Sequence, residues 1–400
     1  MPGKHPARLK HLTTGFRVLR SILALSFVFA ASIAHAGPRA RDLGVPFDGT
    51  PGPLNAITDV AGVTVGQTTL IEDLADGRKV RTGVTAILPR GRETITTPAF
   101  AGSFVLNGAG EMTGRSWIEE SGLLEGPVML TNTHSVGAVH EATIAWRVKN
   151  GDPDGSGYWW STPVVAETWD GELNDVNGFH VKAVHVDAAI EGAKTGPVEE
   201  GNVGGGTGMT CHGFKCGIGT ASRRVDVKGR SQTVGVLVQA NYGTRSSLRI
   251  AGVPVGQHLG EAGSGRESAA EGDNGSIIIV VATDAPLLPH QLDRAAKRAS
   301  MGLARLGSFA GNGSGDLFVA FSTANTKSME GAVLHGAEFL DNGCLDVLFE
   351  AIAQATEEAI VNSMVAARGM TGNGGSSVKA LPHDALVDLL ERYGRGTTPR

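Results

Sequence analysis

Residues 271 to 291 read EGDNGSIIIVVATDAPLLPHQ. Five polar or glycine residues pass without transition into Ile277, Ile278, Ile279, Val280 and Val281, and the residue at the step is Ser276. A short run of β-branched residues bounded by turn formers reads as a fully buried strand. Pro289, just beyond, suits the first turn of a helix that runs through Leu292, Ala295, Ala296, Ala299 and Leu303 to Gly307. A hydroxyl is an odd way to begin a buried strand. On these residues alone the simpler account is a turn, Asp273-Asn274-Gly275, with Ser276 as the first strand residue. The chemical account is that cutting the Gly275–Ser276 bond makes Ser276 a chain end with a hydroxyl and an α-amine together. Such an amine titrates near ~7.7 to 8.0, so part of it is free to act as base at neutral pH.

The extreme N-terminus is set aside first. Lys4, Arg8, Lys10, Arg17 and Arg20 precede an apolar run, Ile22 to Ile33, that ends in Ala34-His35-Ala36. That is the layout of a secretory signal, and the run falls short of the ~20 residues a spanning helix needs. We expect residues 1–36 to be removed and the mature chain to be exported, to the periplasm in a bacterium.

The remaining chain is long enough for one large domain or two ordinary ones, and 41% hydrophobic content supports a substantial core. A net charge of -5 without a basic block argues against nucleic acid or anionic lipid, leaving small molecules or peptides. Cys211 and Cys216 are spaced to pair, leaving Cys344 over, but three cysteines make no framework and we expect all three to be small buried residues. The 57 glycines in 400 residues are about twice the usual ~7%. Their densest cluster, residues 201 to 219, lacks phosphate-loop spacing and reads as packed turns.

Short apolar runs dominate the middle of the chain, among them Val60 to Val65, Gly83 to Leu88, Val128 to Leu130 and Thr233 to Ala240. A long helix is expected where Leu345, Leu348, Phe349, Ile352, Ala355, Ala359 and Ile360 recur at helical steps, with Gly369 as its C-cap, and a third helix after Ser135 as N-cap. Strands with helices grouped between them suggest an α+β layered sandwich, helices outside a pair of sheets. Residues 261 to 275 have linker composition, where proteolysis concentrates.

Four further stretches carry candidate chemistry. In Gly311-Asn312-Gly313-Ser314-Gly315-Asp316, a glycine-rich turn feeds an apolar run and presents Ser314 and Asp316 near a strand end. Asn241, ending the strand of Leu237 to Ala240, offers an amide of the kind used in oxyanion holes. Glu167, two residues before Trp169, is an acid suited to a substrate amine. Lys194-Thr195-Gly196 and Ser376-x-x-Lys379 match motifs of penicillin-binding serine hydrolases, but in reversed order and without the intervening S-x-N. His134, His140, Glu141, His180, His185 and Asp187 lack recognised zinc spacing and read as structural histidines and acids. A solute-binding protein is the non-enzymatic alternative; it requires a hinge between two lobes, which this pattern does not suggest.

Taken together, RARDLGVPFDGTPGPLNAITDVAGVTVG, ETWDGELNDVNG, GNVGGGTGM, VGVLVQANYG, NGSIIIVVATDAPLLPHQ, GNGSGDLFVAFST and QATEEAIVNS resemble the DmpA-type self-processing aminopeptidases, which include the L-aminopeptidase/D-amidase-esterases and β-peptidyl aminopeptidases. The resemblance implies a four-layer αββα sandwich like that of N-terminal-nucleophile hydrolases. It implies a cut between Gly275 and Ser276, giving an α-chain of 37–275 and a β-chain of 276–400 within one catalytic domain. By the same resemblance Ser276 is the nucleophile, Ser314 and Asp316 support it and its amine, Asn241 helps form the oxyanion hole, and Glu167 binds the substrate's amino group. Trp169 stands where some relatives have tyrosine, and Asp316 where some have glutamate. The resemblance further implies a short peptide or amino-acid amide as substrate, no cofactor or metal, and a homotetramer of αβ units.

Overall fold

A computed structural model describes residues 37–93, 96–151, 160–259, 275–326 and 335–396. Its strands are β1 (Thr64–Asp73), β2 (Lys79–Arg92), β3 (Ala99–Gly108), β4 (Leu123–Leu124), β5 (Val128–Asn132), β6 (Val164–Thr168), β7 (Thr210–Cys211), β8 (Phe214–Lys215), β9 (Ile218–Val227), β10 (Arg230–Asn241), β11 (Ser276–Thr283), β12 (Gly315–Ser322), β13 (Met370–Thr371) and β14 (Ser377–Val378). Its helices are α1 (Arg115–Ser121), α2 (Val136–Asn150), α3 (Ala183–Glu191), α4 (Val255–His258), α5 (Pro289–Arg305), α6 (Asp346–Val365) and α7 (His383–Arg392).

Two sheets form the centre. One is four-stranded, in the order β1-β2-β5-β6, and the other six-stranded, β4-β3-β12-β11-β10-β9. Alternation along β11 shows how they stack. Ile277, Ile279 and Val281 point to a core shared with α5 and α6, while Ile278, Val280 and Ala282 point the other way, toward Ile87, Val128, Leu130 and Ala166 of the four-stranded sheet. The outer face of that smaller sheet packs Val84, Ala86, Met129 and Val165 against Val139 and Trp146 of α2 and Val186 and Ile190 of α3. Three cores therefore separate four layers, helix, sheet, sheet, helix, which is the αββα sandwich expected. All eight residues of β11 are buried. Each of its Ile and Val side chains contributes roughly 1.5–3 kcal/mol relative to exposure, and this explains a strand apolar on both faces.

Local chemistry sets the connections. The β9–β10 hairpin turns at Lys228 (φ 52°) and Gly229 (φ 85°), two positive φ values that match the twist of the flanking strands. Helix α5 begins at Pro289 and connects β11 to its parallel neighbour β12.

Several sequence expectations need correction. Val60 to Val63 form a turn and β1 starts at Thr64. Ser135 ends a 3-10 turn leading into α2 but makes no side-chain capping bond. Helix α6 stops at Val365 with Ala366 as its cap, so Gly369 lies beyond its end. Cys211 and Cys216 are not separate buried thiols: they form a disulfide, and Cys344 is only partly buried. The linker-like stretch lies, apart from Gly275, outside the described residues.

Candidate active site

Strand register gathers three of the candidate elements. Ser276 pairs with Asn241 of β10 on one side, antiparallel, and with Gly315 of β12 on the other, parallel. The Gly315 N–H lies 3.2 Å from Ser276 Oγ and 3.2 Å from the Gly275 carbonyl oxygen. A side chain at position 315 has no room, since its Cβ would sit 2.8 Å from Ala109 O and Gly110 Cα. Ser314 and Asp316, flanking that glycine, are wholly buried, and Ser314 Oγ donates to Asp316 Oδ1 at 2.7 Å. Among the described residues no His, Lys or Arg side chain is hydrogen-bonded to Ser276 Oγ.

The Asn241 amide is held from two directions. Its Oδ1 accepts from the Thr210 N–H at 2.9 Å, and its Nδ2 donates to the Trp169 carbonyl at 2.8 Å. An amide nitrogen carries two hydrogens, so the plane is fixed while a second donor remains. The Trp169 backbone makes this link; its indole is about half exposed and lies over Gly171.

Glu167, near the end of β6, is 4% exposed. The Glu111 N–H donates to its Oε1 at 3.0 Å and the Thr133 hydroxyl to its Oε2. Burial pushes its carboxyl above the usual range, against the Thr133 and Glu111 hydrogen bonds and the nearby His134. Among the described residues no Lys or Arg bonds it, and His134 is the nearby imidazole that acts on its charge. Gly110 lies between this acid and Gly315, the neighbour of Ser276: a Cβ there would lie 3.3 Å from Glu167 Oε1 and 3.1 Å from Gly315 Cα.

The sequence reading missed the partners that hold these groups. Glu111 and Thr210 act through backbone N–H groups and Thr133 through a hydroxyl on a loop, none of which leaves a pattern. Asp170, next to Trp169, is buried, and burial raises its carboxyl to about 6, against donors on Thr82, Asn132 and Asn174. It ties the turn after β6 to β5. Of the other candidates, His134 lies near Glu167. Ser376 precedes β14 and Lys379 follows it, exposed. His134 stacks on Phe179, His180 bonds Asp175, and His185 Nδ1 accepts from Lys182 N–H. Among the described residues no group of three His, Cys, Asp or Glu is arranged to hold a metal.

Comparison with known proteins agrees with this geometry. Residues 55–378 match the sequence profile of peptidase family S58. The chain is 54% identical over 386 residues to the β-peptidyl aminopeptidase BapA of Sphingosinicella microcystinivorans, covering 92% of this chain and 96% of that one. It is 47% identical over 389 residues to BapA of Sphingosinicella xenopeptidilytica, covering 92% and 95%. Among solved structures it is similar to the L-aminopeptidase D-Ala-esterase/amidase of Ochrobactrum anthropi, a serine aminopeptidase described as a variant of the Ntn hydrolase fold, with TM-score 0.84, 49% identity and coverage of 90% and 100%. The chain belongs to peptidase family S58, and it is a serine aminopeptidase with the Ntn hydrolase fold.

Proposed function

We propose that the chain is a precursor that cuts itself between Gly275 and Ser276, and that the freed Ser276 then releases N-terminal residues from short peptides, amides or esters. The observation that carries this reading is the isolation of Ser276 Oγ. It is bonded by the Gly315 N–H and, among the described residues, by no basic side chain, which suits an α-amine exposed by the cut as the base. In the cut, Ser276 Oγ attacks the Gly275 carbonyl carbon, whose oxygen already faces the Gly315 N–H. The C–N bond breaks as the nitrogen takes up a proton, and water hydrolyses the resulting ester to leave the Gly275 carboxylate and the free amine.

In turnover, Ser276 Oγ attacks the carbonyl of the substrate's first residue and passes its proton to the α-amine, which then protonates the departing amine. Water releases the acyl group by the reverse proton path. The second Asn241 Nδ2 hydrogen and the Gly315 N–H supply donors for the developing oxyanion. Ser314 and Asp316 fix the charge environment of the nucleophile's amine. Glu167 receives the substrate's ammonium, a cation where, among the described residues, no Lys or Arg bonds the acid. Trp169 lines the entrance. The names of the two BapA relatives make peptides with a β-amino acid at the N-terminus the first substrates to try, with D-alanyl amides and α-L-peptides next. Export through residues 1–36 and assembly of αβ units into a tetramer complete the proposal.

The test is intact mass under denaturing conditions for wild type and Ser276→Ala. Two fragments meeting at Gly275/Ser276 in wild type, and one inactive chain in the variant, are expected. An uncut, active wild-type chain would overturn the reading.

A further inference from the structure

The end of β10 is clamped by the hairpin β7–β8. Each of its strands has only two residues, too short to hold a register unaided. Three bonds close it: the Cys211–Cys216 disulfide, the buried Lys215 ammonium donating to the Met209 and Cys216 carbonyls, and the Arg245 guanidinium over the Phe214 ring at 3.2 Å. The hairpin grips β10 through the His212 N–H on the Tyr242 carbonyl at 2.8 Å and the Thr210 N–H on Asn241 Oδ1 at 2.9 Å. Thr210 is the residue directly before Cys211.

We propose that the Cys211–Cys216 disulfide is a positioning element of the reaction: by closing the hairpin it holds the Thr210 N–H on Asn241 Oδ1 and so aims the Asn241 donor at the reacting carbonyl. This rests on the role proposed above for Asn241. The disulfide touches neither substrate nor nucleophile. Opening it leaves the two-residue strands free to part, and the Asn241 amide then keeps only its Trp169 anchor and rotates. Turnover falls without loss of substrate affinity, because the ammonium pocket at Glu167 is built from β6 and the loops carrying Glu111 and Thr133.

The experiment compares steady-state kinetics of the mature wild type, the double variant Cys211→Ser/Cys216→Ser, Asn241→Ala and the triple combination. Removing one oxyanion donor typically costs about 10²- to 10³-fold in kcat, so an unaimed donor should cost roughly tenfold to hundredfold with KM within about twofold. In the Asn241→Ala background the cysteine changes should add no further loss, since the disulfide acts through that amide. Wild-type kcat in the cysteine variant, or a loss that persists undiminished in the Asn241→Ala background, would overturn the proposal. If the double variant does not fold, wild type is purified with its thiols reduced and then treated with oxidised glutathione, which takes up the two electrons and leaves as two thiols. A rise in kcat at constant KM on oxidation supports the proposal; equal activities, or a reduced protein that cannot fold, overturn it. Failure of the underlying reading looks different: Asn241→Ala would itself turn over like wild type.

Discussion

Ser314 donates its hydroxyl to Asp316 Oδ1 across 2.7 Å, and neither residue has exposed surface. The Asp316 carboxyl sits on β12 beside β11, which Ser276 opens, with that hydroxyl as a fixed donor. Ser314→Ala removes the donor and leaves a buried acceptor short of a partner, at a cost of about 1–3 kcal/mol. We expect denaturant midpoints to fall accordingly and kcat to drop at least about tenfold, with Ser314→Thr restoring much of both.

Glu167→Gln should separate stability from activity. Burial holds the Glu167 carboxyl above its ordinary value, so its favourable contribution is complete below the unfolded pKa and is lost as pH rises through the folded one. The ionised acid is therefore a cost to the resting enzyme at neutral pH. Thermal unfolding at pH 8 should show the variant at or above the wild-type Tm, with the difference shrinking toward pH 4. If Glu167 receives the substrate ammonium as proposed, activity moves oppositely: losing that buried partner costs about 2–5 kcal/mol in kcat/KM.

Gly275→Ala tests the geometry before the cut. A Cβ there would lie 2.2 Å from the Asn241 carbonyl oxygen and 2.4 Å from Tyr242 Cα, both backbone atoms that cannot yield cheaply. The Gly275 carbonyl must then leave the Gly315 N–H. Intact mass followed over hours should show uncut precursor long after wild type is fully processed; processing at the wild-type rate would contradict the geometry.

Glu358 of α6, after position 275, binds residues before it. It accepts from Arg41 Nε at 2.7 Å, Arg223 Nη2 at 2.7 Å and Asn55 Nδ2 at 2.6 Å. Burial alone raises its carboxyl, but the Arg41 hydrogen bond and the Arg223 and Arg41 charges outweigh it, so the group stays below its ordinary value. Its contribution is present above the unfolded pKa and is lost as pH falls through the folded one. Glu358→Gln strands the buried Arg223 and should cost about 3–5 kcal/mol, read from denaturant unfolding at pH 7.

Lys215 is also lowered by folding, but because burial disfavours its charge rather than because a partner favours it. Burial lowers its ammonium to about 7 from 10.5, partly offset by Glu172 and Asp170. Between those values the unfolded chain binds the extra proton, so the cost of burying the charge is full below about 7 and relieved as pH rises toward 10.5. The Tm of wild type relative to Lys215→Met should therefore climb from pH 7 to pH 10; a flat difference would show that the side chain stays charged in its pocket.

What the sequence disclosed follows the length and period of each element. The eight-residue β11 and the seventeen-residue α5 repeat their pattern often enough to be read directly. Asn241 was visible because it ends a long apolar strand, and Ser314 and Asp316 because a glycine-rich turn delivers them to another. The hairpin of Thr210 to Lys215 was not, since two-residue strands carry no period, and the pairing of Cys211 with Cys216 needs tertiary closure to decide it. Glu111 and Thr133 hold Glu167 through groups that any residue, or any hydroxyl, supplies. Ser135 and Gly369 have the residue types of helix caps, but a 3-10 turn and an earlier helix end displace them from that role.

The six-stranded sheet takes β11 and β12, its two middle strands, from residues after 275, and the four that flank them from residues before it. Neither segment alone completes this sheet: without β11 and β12 the flanking strands have an empty centre, and without the flanks the β11–β12 pair is left with both outer edges unpaired. Ser276 meets the Gly315 N–H only once the sheet is complete. On the proposed reading, cleavage is an internal certificate of folding: a chain that cuts itself between Gly275 and Ser276 must first have assembled its centre, and the ratio of cut to uncut polypeptide would count correctly built molecules without any substrate being added.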